Sequence, residues 1–145
     1  MKIGIVNASS RFDPQRAEAV QDWFATNIPD KSVEVVFHPA SFGKHGHFGG
    51  DDASRAAAFV EYANDPRFDA IWFARGGYGS CRIAEAVLPR LNAVARKKRY
   101  LGYSDAGSLL AILYRNGFPH VAHGPMASDA VRNDATAWRA INWLK

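Results

Sequence analysis

Short apolar runs and segments of helical periodicity alternate five times along this chain, and no other feature of the sequence restricts its fold as much. Ile3-Gly4-Ile5-Val6-Asn7 reads as a buried strand that enters the polar loop Ala8-Ser9-Ser10. Asp13-Pro14 opens a helix, with Asp as N-cap and Pro in the first turn, that carries Ala17, Val20, Trp23 and Phe24 at helical spacing and stops at Pro29-Asp30. Val33 to Phe37 makes a second strand. Asp52 begins a second helix through Ala56, Phe59, Val60 and Ala63, stopped by Asp65-Pro66, and the strand Ala70 to Ala74 follows. The remaining elements are a helix from about Cys81 to Ala95, a strand from Arg99 to Tyr103, a helix from Asp105 to Arg115 closed by Asn116-Gly117, a short strand around Val121-Ala122-His123, and a helix from about Ser128 to Leu144.

Strands joined by amphipathic helices pair in parallel, because each crossover helix has to cover one face of the sheet. The expectation is one α/β domain over residues 1–145, a doubly wound, mostly parallel sheet of about five strands, flavodoxin-like in class. A chain of 145 residues with 48% hydrophobic content can bury a core without disulfides, and its single cysteine, Cys81, excludes a disulfide framework and a Cys-rich zinc site. No run approaches the roughly 20 apolar residues that cross a bilayer, and polar Asn7 comes too early for a signal-peptide core. A soluble, cytoplasmic protein with no membrane partner is expected. The formal charge is +4, and the only dense basic run, Arg96-Lys97-Lys98-Arg99, lacks the interleaved aromatics of a nucleic-acid site, so it reads as a solvated loop and no nucleic-acid partner is expected.

In such sheets ligands gather at the carboxyl ends of the strands, where loops 8–10, 75–80 and 103–106 fall. Arg75-Gly76-Gly77-Tyr78-Gly79-Ser80 joins a strand to a helix N-terminus. Its glycines allow positive φ and close approach to a ligand, and the helix start offers free N–H groups to an anion or oxyanion; a plain tight turn is the alternative. The spacing is neither that of a Walker A loop nor GxGxxG. Gly102-Tyr103-Ser104-Asp105-Ala106 puts a serine at a strand-to-helix junction, the position of a nucleophile elbow, although Ala106 stands where that motif has its second glycine. Taken locally, Ser104-Asp105 reads equally as a helix N-cap.

Other residues carry weaker signals. The long loop 38–50 contains His45-Gly46-His47, two imidazoles without a third ligand in register, so no metal and no cofactor is expected. His123 falls near the carboxyl edge beside Gly124-Pro125 as a wall residue. Cys81 lies in a first helical turn with no histidine placed to activate it. Trp23, Trp72, Trp138 and Trp143 occupy core-type positions.

The segments Phe48-Gly49-Gly50-Asp51-Asp52-Ala53-Ser54-Arg55, Asp65-Pro66 through Asp69-Ala70-Ile71-Trp72, Ala74 to Ser80, Gly102-Tyr103-Ser104-Asp105 and His123-Gly124-Pro125-Met126 follow one another in an order and spacing that resembles the LD-carboxypeptidases. These are the serine peptidases of family S66, also called muramoyltetrapeptide carboxypeptidases, and the resemblance covers essentially the whole chain. It implies release of the terminal D-alanine from cytoplasmic murein tetrapeptides in peptidoglycan recycling, or, in one branch, inactivation of microcin-type antibiotics. It implies Ser104 as nucleophile and the N–H groups of Gly77 and Asp105 as oxyanion hole; around them Arg75, Gly76, Ser80 and His123 read as substrate contacts. The family's catalytic histidine and its orienting glutamate belong to a C-terminal domain with no counterpart here, so the chain is expected to be an N-terminal nucleophile domain, catalytically incomplete alone. A stand-alone flavodoxin-like module binding an anionic small molecule, or an interaction domain, is the alternative, and a homodimer is left open.

Overall fold

The computed structural model describes all residues from Met1 to Lys145. Five parallel strands, β1 (Lys2–Val6), β2 (Glu34–Phe37), β3 (Ala70–Phe73), β4 (Arg99–Gly102) and β5 (Val121–His123), lie in the order β2-β1-β3-β4-β5. That is the flavodoxin-like order, with its switch point between β1 and β3. Side chains alternate between the sheet's two faces. Ile3, Ile5, Ala70, Trp72 and Leu101 pack beneath α1 (Pro14–Asn27) and α6 (Asp134–Leu144). Val6, Ile71, Phe73 and Tyr100 pack beneath α2 (Asp52–Asn64), α3 (Ser80–Val87) and α5 (Gly107–Arg115). Burial of the Tyr100 hydroxyl raises its pKa.

Two expected helices are shorter than the sequence suggested. Pro89 has no N–H to continue the helical ladder, so α3 gives way to a 3₁₀ turn at Leu88–Arg90. The short α4 (Ala93–Lys97) then starts afresh, with Asn92 accepting the N–H groups of Val94 and Ala95. The final helix begins at Asp134, because Asn133 caps it; residues 127–129 form a separate 3₁₀ turn. Trp138, expected in the core, is 38% exposed and packs edge-on against Trp23.

The basic run also departs from a solvated loop. Lys98 is buried, and its ammonium donates to the carbonyls of Asp65 and Phe68, tying the end of α2 to the entry of β3. Desolvation lowers its pKa. Lys98→Met is expected to lower stability by about 1–3 kcal/mol in urea unfolding, because the buried Phe68 carbonyl and the part-buried Asp65 carbonyl lose their donor.

Candidate active site

The loops after β1, β3 and β4 meet at the carboxyl edge of the sheet. Beyond β4, Tyr103 is extended, Ser104 takes φ +55°, and a 3₁₀ turn, Ser104–Ala106, leads into α5. A non-glycine residue in the left-handed region costs about 1–2 kcal/mol, so neighbouring contacts must hold it there. Those contacts come from Asp105. Its carboxylate accepts the Ser9 hydroxyl and, at 2.8 Å, the Ser80 N–H; its carbonyl accepts the Ser80 hydroxyl. All three loops are thereby joined at the residue that follows the serine.

Ser104 itself is exposed and faces the glycine turn. A Cβ placed on Gly76 would lie 2.9 Å from Ser104 Oγ, so the two segments touch only because position 76 has no side chain. At Gly77, φ is +123° and a Cβ would come within 2.0 Å of Ser10 Oγ. Ser10 Oγ accepts the Tyr78 N–H at 3.2 Å, which fixes the turn, while the N–H of Gly77 has no partner within the protein. This is a free donor beside a hydroxyl on an elbow.

Behind the turn lies Arg55, 1% exposed in the interior of α2. Its guanidinium donates to the carbonyls of Ala8, Gly79 and Gly50 and pairs with Asp52. Asp52 in turn bonds Arg82, which, with Arg55, holds its carboxyl below the usual range. Ser9 and Ser10 belong to loop 8–10, which the sequence places at this edge without giving either serine a role, but Arg55 has no local signal: an arginine on a helix looks like a surface charge, and its carbonyl partners are distant in the chain. Only the run Gly49-Gly50-Asp51-Asp52-Ala53-Ser54-Arg55, as part of the family resemblance, marked it.

A cavity of about 210 Å³ in front of Ser104 is lined by Gly76, Gly77, Met126, Arg16, Arg75 and Arg132, among others. Its one carboxylate, Asp129, accepts the Met126 N–H and pairs with Arg132 at 3.6 Å. The cavity lining contains no histidine and no glutamate. His123 lines the adjoining cavity of about 430 Å³, edge-on to Tyr103, and no carboxylate bonds its ring. Arg75 and Gly76 face the Ser104 cavity. Ser80, expected to touch substrate, is fully buried, and both its hydroxyl and its N–H are spent on Asp105. His45 and His47 stand with no third ligand, and Cys81 is exposed at the start of α3.

The fold and the site together define a doubly wound α/β domain that carries a serine on a strand-to-helix elbow facing a glycine turn. The family model described as the LD-carboxypeptidase N-terminal domain matches residues 3–124, and the chain belongs to that family, peptidase S66. A probable murein peptide carboxypeptidase of Bacillus subtilis is 28% identical over 134 residues, 91% of this chain and 40% of the relative. A putative carboxypeptidase of Streptomyces coelicolor is 36% identical over 107 residues, 70% of this chain and 34% of the relative. Among solved structures, an MccF-like protein from Bacillus anthracis superposes with a TM-score of 0.81 at 19% identity, over 99% of this chain and 44% of the other, which shows a shared fold. The chain thus spans less than half the length of these relatives.

Proposed function

We propose that this chain is the nucleophile-bearing part of a serine-type LD-carboxypeptidase, which releases the terminal D-alanine of murein tetrapeptides in the cytoplasm during peptidoglycan recycling. The observation that carries the reading is Ser104 at φ +55°, in contact with a glycine turn whose Gly77 N–H is free. Similarity to the Bacillus subtilis murein peptide carboxypeptidase supports the substrate class. No helix is long and apolar enough to cross a membrane, in keeping with a cytoplasmic site of action.

In this scheme Ser104 Oγ gives its proton to a base and bonds to the carbonyl carbon before D-alanine. The carbonyl electron pair moves onto oxygen, where the N–H groups of Gly77 and Asp105 hold it. The C–N bond then breaks, the D-alanine amine takes the proton, and water hydrolyses the remaining ester. Arg75, Gly76 and His123 serve as substrate contacts, whereas Ser80 becomes a positioning residue. The family resemblance puts the base in a second domain, and this reading is supported by a Ser104 cavity whose one carboxylate, Asp129, pairs with Arg132.

The 145-residue chain alone is therefore expected to leave murein tetrapeptide intact, and D-alanine release should appear when a separately expressed S66 C-terminal domain is added. Turnover by the chain alone, removed by His123→Ala, would put the base within this chain and overturn the two-part scheme.

A further inference from the structure

A second cavity, of about 340 Å³, adjoins the one in front of Ser104 and is lined by Arg11, Asp13, Arg16 and Arg75. Arg16 and Arg75 line both cavities, so the two lie side by side along the carboxyl edge. Three guanidiniums face one carboxylate here, and Asp13 is already the N-cap of α1, accepting the Gln15 N–H at 3.0 Å. None of Arg11, Arg16 and Arg75 takes part in an ion pair, although arginines elsewhere in the chain, such as Arg67 and Arg82, do. Arg75 is fixed in place, donating from Nη1 to the Arg11 carbonyl at 3.0 Å and from Nε to the Gly76 carbonyl at 3.1 Å. Arg16 stands in the first turn of α1, which has no acidic residue, so its charge adds to the positive end of the helix dipole instead of opposing it. A protein that concentrates uncompensated positive charge in a concave site has built a place for an anion.

We infer that Arg11, Arg16 and Arg75 form an anion subsite next to Ser104 that takes a dianionic segment of the substrate. Across the two cavities four guanidiniums face two carboxylates, an excess of two positive charges, which fits two negative charges on the ligand. Two sources share that chemistry: an acidic peptide with a carboxylate besides the one at its terminus, or a phosphoryl group on a conjugate. This inference deepens the peptidase reading of Ser104 and rests on it for the peptide source.

The test uses the 145-residue chain with three probes: a tetrapeptide ending in D-alanine with a free carboxyl on its third side chain, the same peptide with that carboxyl amidated, and AMP. Calorimetric affinities are read for wild type, Arg11→Gln, Arg16→Gln and Ser104→Ala, with the Nε–H signal of Arg16 followed by NMR. Arg11 and Arg16 are exposed, so the glutamine variants are expected to keep the wild-type melting temperature. The diacid peptide should bind about tenfold more tightly than its amide, and Arg16→Gln should erase that preference while Ser104→Ala keeps it. If AMP and not the diacid loses about tenfold in Arg16→Gln, the source is a phosphoryl group and the subsite stands. Affinities of all probes unchanged in both arginine variants, with the Arg16 signal unmoved, overturn the subsite and leave Ser104 untouched. Arginine-dependent binding to the chain, alongside a two-domain enzyme whose D-alanine release survives Ser104→Ala, would instead sink the peptidase reading and keep the subsite.

Discussion

Ser104→Ala, made in a protein that joins this domain to its base-bearing partner, is expected to lower the rate of D-alanine release by on the order of 10⁶-fold. Removing the nucleophile of a serine hydrolase leaves only the residual catalysis of binding and the oxyanion hole. The side chain is exposed and donates no hydrogen bond within the protein, so alanine should preserve the fold. Ser80→Ala should behave differently. It loses a buried bond to the Asp105 carbonyl, so its effect should appear as lowered stability and a smaller loss of rate. A Ser104→Ala enzyme with wild-type turnover in a D-alanine assay would end the proposal.

Gly77→Val is expected to have the next largest effect, for a different reason. The position has φ +123°, where a β-branched residue is a steric outlier, and even a Cβ would overlap Ser10 Oγ at 2.0 Å. The turn must move, which displaces the free N–H of Gly77 from Ser104. Loss of one oxyanion donor costs about 10²–10³-fold in kcat, and displacement of Ser10 also releases the Tyr78 N–H. The loss should fall on kcat more than on KM, because the donor meets charge that exists only in the transition state. Gly77→Val with full kcat would remove Gly77 from the oxyanion hole.

The order of strands and helices was legible because it follows from local periodicity and from caps such as Asp13-Pro14, both contained in a few adjacent residues. The elbow was legible as a place: a serine after a buried strand and before an apolar helix has few positions to occupy. Its strain was not, since φ at Ser104 depends on Asp105 reaching Ser9 and Ser80, which are 96 and 25 residues away. Burial of Arg55 and Lys98 was hidden for the same reason. Each charge is offset by backbone carbonyls brought in from other loops, and nothing in the neighbouring sequence announces them. The break after Val87 was written in the sequence as Pro89 and was overridden by the apolar pattern around it.

The central claim is that Ser104, alone among the serines at this edge, becomes the nucleophile. It is tested most directly by covalent labelling of the complete two-domain enzyme with a fluorophosphonate, followed by mass spectrometry of the digested protein. The account predicts one label per chain, on the peptide containing Ser104, with labelling slowed by tetrapeptide and lost in Ser104→Ala. Inactivation with the label on Ser9, Ser10, Ser80 or Ser128 and Ser104 unmodified would contradict it.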